Sequence, residues 1–484
     1  MTYSGFGFVP EFDSAPGRTN QRAYFPVSIS ATVREATFSE TLSGILDAAP
    51  SHEIADLEKS FKDLPALDGD DETAEELWNA FTSGYGVSAK GFGRKNDEAD
   101  YLVPFNHAVA SAIEIDQRRW SRLYWLLMTD PGDGVVEDLH SEFVEGLFDM
   151  DISNLLEEIV ISGIENLEGV ELASDATEIL SNQTPIEIDP LVPGCAEAFR
   201  EDLKAWLNVR ESESASRWML GLRDILNYHY MMYVIQTAYT LQEEYETIKD
   251  GPPYEYSFDI IPVPFGLASE TASESREFVD AWKGDGLSRA LYDSWGRLAV
   301  LNHVVSVAMD SGNQIDAKPY TLSEALEAFP DELQQDVIDR LLDEFPDDQR
   351  PDVDSDLGDV AIRFTHSVRR YYENMGKTPS SQTAYSAGEN SVRDLGTGAE
   401  RQFIERRRGV GTILRLDRGS LRLFARLFDA RKQRGHIDEF WEYMRGRGIR
   451  FDRRSKEEVI SQLEAMGLLQ KQSDSGEAMY VETL

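Results

Sequence analysis

Apolar residues recur at helical spacing through most of the first 374 residues, and this pattern constrains the fold more than any other feature of the chain. Residues at positions i, i+3, i+4 and i+7 share one face of a helix, so each such segment predicts an amphipathic helix that buries one side. The segments are Thr73–Phe81, Tyr101–Ile115, Arg118–Met128, Leu139–Glu165, Cys195–Asn208, Ser214–Ile248, Ser273–Trp282, Gly286–Met309, Thr321–Glu344 and Leu357–Asn374. We therefore expect a mainly α protein with a large multi-helix body.

The net charge of −41 is distributed unevenly. Residues 1–400 carry 29 basic and 75 acidic side chains, whereas residues 401–454 carry 16 basic and 7 acidic ones. The acidic residues are spread over the whole body, and of the 47 basic residues only 12 are lysine. This composition favours a halophilic protein whose acidity is an adaptation to concentrated salt and not a binding signal.

Cellular location is predicted from cysteine usage and from the absence of targeting patterns. The chain has one cysteine, Cys195, which excludes an intrachain disulfide and argues against a cysteine-based zinc site. The first residues lack the basic and apolar regions of a signal peptide. The most apolar stretch, Leu287–Met309, is interrupted by Arg289, Asp293 and Arg297, so it does not predict a membrane span. We expect a cytoplasmic protein with no membrane partner.

Proline-rich and polar stretches suggest the domain boundaries. Residues 377–400 are poor in apolar side chains and predict a linker between a body, residues 1–376, and a basic domain, residues 401–484. Prolines near 181–197 and 250–265 interrupt the helices and mark either sub-boundaries or loops inside one bundle.

The basic domain predicts a winged helix-turn-helix. Apolar positions indicate a helix over Gly419–Lys432 and a second over residues 437–444. A third begins at Ser455, where Ser455 and Glu458 have the spacing of a capping box. Two short apolar segments follow, separated by a polar turn, and they predict a hairpin. Three short helices followed by a hairpin are the element order of that fold.

Arginine enrichment in this domain predicts contact with double-stranded DNA, because the planar guanidinium donates to phosphate in a bidentate manner. The candidate nucleic-acid-binding residues are Arg406, Arg407, Arg408, Arg415, Arg431, Lys432, Arg434, Arg445, Arg447, Arg450, Arg453, Arg454 and Lys471. Base readout by the third helix is not expected, because Glu457, Glu458 and Glu464 would repel DNA. The alternative is a scaffold whose winged helix docks a partner protein and does not bind DNA.

Salt limits what charge alone achieves. Four phosphate contacts would lose about three to four orders of magnitude in affinity between ~0.2 M and ~2 M salt. In a salt-rich cytoplasm, DNA binding therefore needs directional hydrogen bonds, shape recognition or additional surface from a partner.

Three segments of the basic domain carry a family resemblance: Arg406–Asp417, Arg447–Asp452 and Gly467–Val481, with Lys471–Val481 the most specific. They resemble the C-terminus of the DptG family, whose members are components of DNA phosphorothioation-dependent restriction systems. The resemblance covers the last eighty or so residues. It implies a role in antiviral defence, in a complex with other restriction subunits that include an NTPase, and it assigns no catalytic residue.

Motifs for catalysis are not found. The chain contains neither a P-loop nor a His-Glu-x-x-His motif, so ATP hydrolysis is expected of a partner. Two Asp-x-Lys triplets, which end at Lys204 and Lys318, have no Pro-Asp before them and do not make a nuclease motif. His140 lies among acidic residues, but acidic neighbours are common throughout this chain. We assign no catalytic residue, metal or cofactor, and a nuclease without a recognisable motif stays a third, lesser hypothesis.

Overall fold

A computed structural model describes residues 34–87, 101–113, 120–183, 190–251, 259–267, 321–344, 355–374, 391–397, 403–407, 411–472 and 479–482, apart from a few positions inside these ranges, together with scattered residues between 286 and 304. The described residues are mainly helical and their strands are short, so the predicted fold class is confirmed at that level. No helix among them has the length and apolar content needed to cross a bilayer.

The body is built from thirteen described helices, of which ten overlap predicted segments and three, at residues 34–45, 54–62 and 176–182, were not predicted. The predicted helix Ser273–Trp282 lies outside the described residues. The described helices are α1 (Arg34–Ile45), α2 (Ile54–Lys62), α3 (Asp71–Tyr85), α4 (His107–Ala112), α5 (Ser121–Met128), α6 (Glu137–Phe148), α7 (Leu155–Glu165), α8 (Ala176–Asn182), α9 (Pro193–Asn208), α10 (Ala215–Asp250), α11 (Leu322–Ala328), α12 (Asp331–Glu344) and α13 (Leu357–Asn374). Five two-residue strands accompany them: β1 (Gly86–Val87), β2 (Tyr101–Leu102), β3 (Thr129–Asp130), β4 (Gly134–Val135) and β5 (Val263–Pro264).

Two predicted helices are shorter than expected. The segment Leu139–Glu165 is divided because Asn154 begins a new helix, its side chain accepting a hydrogen bond from the Glu157 amide at 2.9 Å. The segment Tyr101–Ile115 begins with strand β2, and helix α4 starts only after Asn106, whose side chain caps it in the same way. An asparagine oxygen satisfies an amide that has no partner within the helix, so it defines a start that apolar spacing does not show.

Helices α9 and α10 form the centre of the body. Helix α10 is 36 residues long, and buried side chains occupy most of its circumference, as in a helix enclosed by others. Trp206 of α9 and Trp218 of α10 each donate the indole N–H to the backbone carbonyl oxygen of the other, at 3.0 and 3.2 Å. The pair therefore brings two large rings into the core with their polar groups satisfied.

A second, smaller core lies to one side of the body. It contains Phe61 of α2, Trp78 and Phe81 of α3, and Val160 and Ile164 of α7. The Phe61 and Trp78 rings lie 5.4 Å apart, and those of Trp78 and Phe81 lie 5.6 Å apart. The apolar faces of α2, α3 and α7 meet in this core.

The C-terminal part of the chain begins with a hairpin and continues as alternating helices and strands. Its elements are β6 (Ile404–Arg407), β7 (Gly411–Leu414), α14 (Arg418–Lys432), β8 (Gly435–His436), α15 (Ile437–Arg445), β9 (Ile449–Arg450), α16 (Arg453–Ala465), β10 (Leu469–Lys471) and β11 (Met479–Val481). Strand β11 lies between β10 and β8 and is antiparallel to both. We call residues 418–482 the C-terminal unit.

The C-terminal unit shares one continuous core with the body. The ring of Tyr228, on α10, lies 5.0 Å from the ring of Phe403 and 4.8 Å from that of Phe424. Strand β5 of the body pairs in parallel with β9 of the C-terminal unit, with Val263 opposite Ile449. The unit is therefore packed against the body over both side chains and backbone.

The predicted linker, residues 377–400, differs from the structure where it is described. Residues 391–396 are helical, and Val392 and Leu395 are buried in the common core. Residues 377–390 and 398–400 lie outside the described residues. Two well-spaced apolar side chains were enough to pack this segment, although its overall composition is polar.

The described residues of the two proline-rich stretches include buried side chains. Residues 184–189 and 252–258 lie outside the described residues. Val192 is fully buried immediately before α9, which begins at Pro193. Val263 and Phe265 are buried where the second stretch pairs with β9. Proline restricts the backbone but does not prevent an apolar neighbour from entering the core.

Candidate nucleic-acid interface

Helix α16 begins two residues earlier than the sequence predicts. Its N-cap is Asp452, whose side chain accepts a hydrogen bond from the Ser455 amide at 2.6 Å. Ser455, the predicted cap, is instead buried in the first turn. A carboxylate caps a helix as well as a hydroxyl does, so Arg453 and Arg454 are part of this helix and not of the preceding loop.

Arg453 and Arg454 are exposed at the end of α16 where the helix dipole is positive. A cation at this end is disfavoured by about 0.3–1 kcal/mol, so the two arginines are not there to stabilise the helix. Their charges add to those of the backbone amides, and together they create a positive potential suited to an anion such as phosphate. Arg453 also pairs with Glu457 at 3.3 Å, but its side chain is 92% exposed.

The remainder of α16 offers little to nucleic-acid bases. Val459 and Leu463 point into the core. Glu457 and Glu464 are exposed, and Glu464 forms an ion pair with Lys471 of β10. Positive charge on this helix is therefore concentrated in its first turn, as the acidic residues of the sequence suggest.

Three of the predicted residues are used in contacts within the chain. Arg415 pairs with Glu405 at 2.8 Å and donates to the Leu267 carbonyl oxygen at 2.9 Å. Arg431 pairs with Glu201 of α9 at 2.7 Å. Arg447 is buried with a side chain 5% exposed, so its guanidinium is not presented to solvent.

Two other predicted residues lie near acidic side chains at the surface. Lys432 lies 3.6 Å from Glu439, and Arg434 lies 3.7 Å from Glu482 while its guanidinium covers the Tyr480 ring. Exposed pairs of this kind contribute ~1 kcal/mol or less and are screened by salt. They leave these cations able to exchange partners.

Arg445, Arg450 and Arg454 are exposed around the connection between α15 and α16. Among the described residues, neither Arg445 nor Arg454 has an ion pair. Arg406 and Arg407 belong to β6, and Arg408 lies outside the described residues, as do the side chains of the other two.

Other cations of the C-terminal unit were not among the predicted binding residues. Arg418 and Arg422 are exposed on α14, and the Lys456 ammonium lies 5.3 Å from the centre of the Trp441 ring. In the sequence, these residues occupy polar positions of the helical pattern, which indicates that they face solvent.

The burial of Arg447 is explained by Asp202 of α9. The Arg447 guanidinium donates to both carboxylate oxygens of Asp202, at 2.6 and 3.2 Å. Tyr443 donates its hydroxyl to the same carboxylate at 3.0 Å, and the Nε2 of His229 lies 3.1 Å from it. Tyr228 in turn donates to the Arg447 carbonyl oxygen at 2.6 Å.

The charges of this network are consistent with one another. Burial opposes ionisation of Asp202, but the charge of Arg447 and the hydrogen bond with His229 outweigh it and hold the pKa of Asp202 below its usual range. Burial also opposes the charge of Arg447, yet Asp202 raises the pKa of Arg447. Desolvation lowers the pKa of His229, so at neutral pH it is a neutral donor to Asp202. The network is an ionised pair with neutral hydrogen-bond donors.

The other polar candidates are engaged in packing. His140 is buried, with Nδ1 2.8 Å from the Tyr124 hydroxyl and Nε2 2.7 Å from Oε1 of Gln183. Asp202, the first residue of one Asp-x-Lys triplet, is fully buried and paired with Arg447. Over the part of the chain that the structure describes, three or more His, Cys, Asp or Glu side chains do not come together as a metal site.

Comparison with known proteins does not extend this description. No protein-family model matches the chain, and no curated protein matches it either.

Proposed function

We propose that the C-terminal unit is a winged helix. Its three helices, α14, α15 and α16, and the hairpin that follows them support this assignment, as does a three-stranded sheet in which β8 pairs with the second strand of the hairpin. Strand β9, between α15 and α16, pairs instead with β5 of the body. In this reading α16 is the helix that faces a ligand, and the segment between β10 and β11 is the wing. The contacts of α16 with α14 and β10 leave the face of α16 that bears Arg453 and Arg454 exposed.

We further propose that the protein is a non-catalytic subunit of a DNA phosphorothioation-dependent restriction complex used in antiviral defence. Its contribution is contact with double-stranded DNA and assembly with other subunits, among them an NTPase. The resemblance of Lys471–Val481 to the DptG family supports the proposed membership of a restriction complex. The exposed arginines at the start of α16 support the DNA contact, and this is the observation on which that part of the proposal rests.

The contact is with the phosphate backbone and not with base edges. Arg445, Arg450, Arg453 and Arg454 occupy the approach to α16, whereas Glu457 and Glu464 lie on the exposed face beyond it. Arginines bind phosphate whatever the sequence of the DNA, and carboxylates oppose a deep approach into the groove. Sensing of sulfur in the DNA backbone is left to a partner in this proposal.

The test is duplex binding by the full chain at several KCl concentrations. The double variant R445E/R454E should lose at least about tenfold in affinity, because two phosphate contacts become repulsions. The matched control is R217E/R340E, which makes the same change in charge on exposed arginines of the body. Equal affinity of the two double variants would contradict the DNA assignment.

A second function, a protein-docking scaffold, is favoured by one observation. Arg431 of the unit pairs with Glu201 of the body, so at least one of its cations takes a carboxylate from outside the unit. Three others, Lys432, Arg434 and Lys471, lie close to acidic side chains of the unit itself. If R445E/R454E kept its DNA affinity but no longer co-purified with a subunit encoded by a neighbouring gene, the scaffold function would replace the first. Metal-dependent DNA cleavage by the isolated chain would contradict both.

A further inference from the structure

The network around Asp202 joins segments that are distant in the sequence. Asp202 is on α9, His229 on α10, and Tyr443 and Arg447 belong to the C-terminal unit. The carboxylate of Asp202 is completely buried, and five donor contacts of 2.6–3.2 Å reach it from Arg447, Tyr443 and His229. The Arg447 guanidinium also lies 4.0 Å from the centre of the Tyr443 ring.

A buried ion-pair network contributes more to selecting one arrangement of the packed segments than to the free energy of unfolding. Replacing a buried ion pair with apolar side chains is often neutral for stability, because desolvation offsets the attraction between the charges. Apolar surfaces, however, slide over one another at small cost, whereas hydrogen bonds to a buried carboxylate weaken steeply when distance or angle changes. Rings such as Tyr228, Phe403 and Phe424 form the apolar part of the contact and supply no such restriction. The directional contacts come from backbone pairing, such as that of β5 with β9, and from the Asp202 network.

Two further arginines of the C-terminal unit lie on the same face as Arg447. Arg431 pairs with Glu201, the neighbour of Asp202, and Arg426 pairs with Glu213 just after α9. Arg447 also reaches Glu201, at 2.9 Å. Three cations of the unit thus match three carboxylates of the body. At the buried centre the attraction is hardly screened by salt, unlike that of the exposed pairs.

We propose that the buried Asp202–Arg447 network sets the register in which the C-terminal unit docks on the body, and that Arg426 and Arg431 extend this intramolecular interface. Part of the basic charge of the C-terminal unit therefore serves its own acidic body and not a nucleic acid. The unit is held in one orientation, with α16 directed away from α9. This inference does not depend on DNA binding, so its failure leaves the proposed function standing.

The first test is amide hydrogen exchange of the full chain in molar KCl. The D202N variant removes the buried counter-charge of Arg447 and leaves the partly exposed Glu201, at 2.9 Å, as its ion-pair partner. Exchange in residues 435–450 should rise at least about tenfold, while α5 and the centre of α10 keep their protection, because the docked unit opens separately. The matched control is D130N. It removes the carboxylate that pairs at 2.9 Å with Arg200, an arginine of α9. It should leave residues 435–450 unchanged.

If D202N does not fold, Y443F takes its place, since it removes only the hydroxyl that donates to Asp202. A rise of about threefold or more in the exchange of residues 435–450 is then expected, again confined to the C-terminal unit. Unchanged exchange in the variant that folds would overturn the proposal.

The second test measures register directly. Val263 and Ile449 are opposite each other on β5 and β9, so cysteines at these positions in a C195A background should form a disulfide. A V263C/F451C pair, displaced by two residues, should not. When D202L and R447M are added, the second pair should also form, because the register is then restrained by the β5–β9 backbone pairing without the buried network. The proposal is wrong if only the first pair forms in that background.

Discussion

Glu244 of α10 provides a test of the structure through its pH dependence. This carboxyl is 1% exposed, and its Oε1 accepts hydrogen bonds from both the amide and the hydroxyl of Ser323, each at 2.8 Å. Among the described residues, its buried Oε2 has no hydrogen-bond partner. Burial raises the pKa of Glu244 from 4.5 to about 7, against the effect of the Ser323 hydrogen bonds.

The sign and size of the effect follow from proton linkage. Between pH 4.5 and about 7 the folded state binds more protons at Glu244 than the unfolded state does, so stability falls as pH rises through this window and is then constant. A difference of about 2.5 pKa units corresponds to about 3 kcal/mol in the free energy of unfolding. E244Q keeps an oxygen for Ser323 but does not ionise. We therefore expect E244Q to gain about 3 kcal/mol relative to the unsubstituted chain between pH 4.5 and pH 8.

The assay is urea unfolding of both proteins in molar KCl at several pH values, with the two curves subtracted. Any constant cost of the new amide cancels in this difference, and so do all other titrating groups. The control is E246Q, which makes the same change at a carboxyl of α10 that is 62% exposed. A flat difference for E244Q would refute the burial and pairing described for Glu244.

Three further predictions concern packing and charge. Gly448 has φ +79, and a Cβ there would lie 2.5 Å from the Met232 side chain, whereas Gly467 has φ +72 and open space around it. G448A should therefore destabilise the fold by about 1–3 kcal/mol more than G467A. Thermal unfolding measures both variants, and equal losses would contradict the close approach. R454Q should reduce the slope of log affinity against log salt by about 0.9 for every duplex sequence tested, and a change confined to one sequence would instead indicate base readout. W206F removes the indole donor to the Trp218 carbonyl oxygen and should cost about 1–3 kcal/mol, measured by urea unfolding; no loss would mean that this hydrogen bond is not formed.

Much of the helical body was predictable because helix formation is written in local spacing. The segment Ser214–Ile248 corresponds closely to α10, and the segment Thr321–Glu344 contains α11 and α12. The helices of the C-terminal unit also follow their apolar positions. The errors arose at capping residues such as Asn154 and Asp452, where one side-chain hydrogen bond decides the first residue of a helix.

The candidate interface was predictable only in part, because sequence identifies cations but not their partners. Arg447 and Arg454 stand seven residues apart in equally basic surroundings, yet one is buried against α9 and the other is exposed. The difference depends on Asp202, which lies 245 residues from Arg447 in the chain.

The sequence alone determined the mainly helical class, the reversal of charge near residue 400 and the succession of three helices and a final pair of strands in the C-terminal unit, but not strands β8 and β9. These are properties of composition and of short-range periodicity, so they can be predicted without knowledge of the tertiary contacts. Only the tertiary structure decided that the supposed linker is packed at residues 391–397, that body and C-terminal unit share one core, and which arginines are neutralised within the chain. Burial and ion pairing are long-range properties, because the partner that removes a charge from solvent can come from any part of the chain.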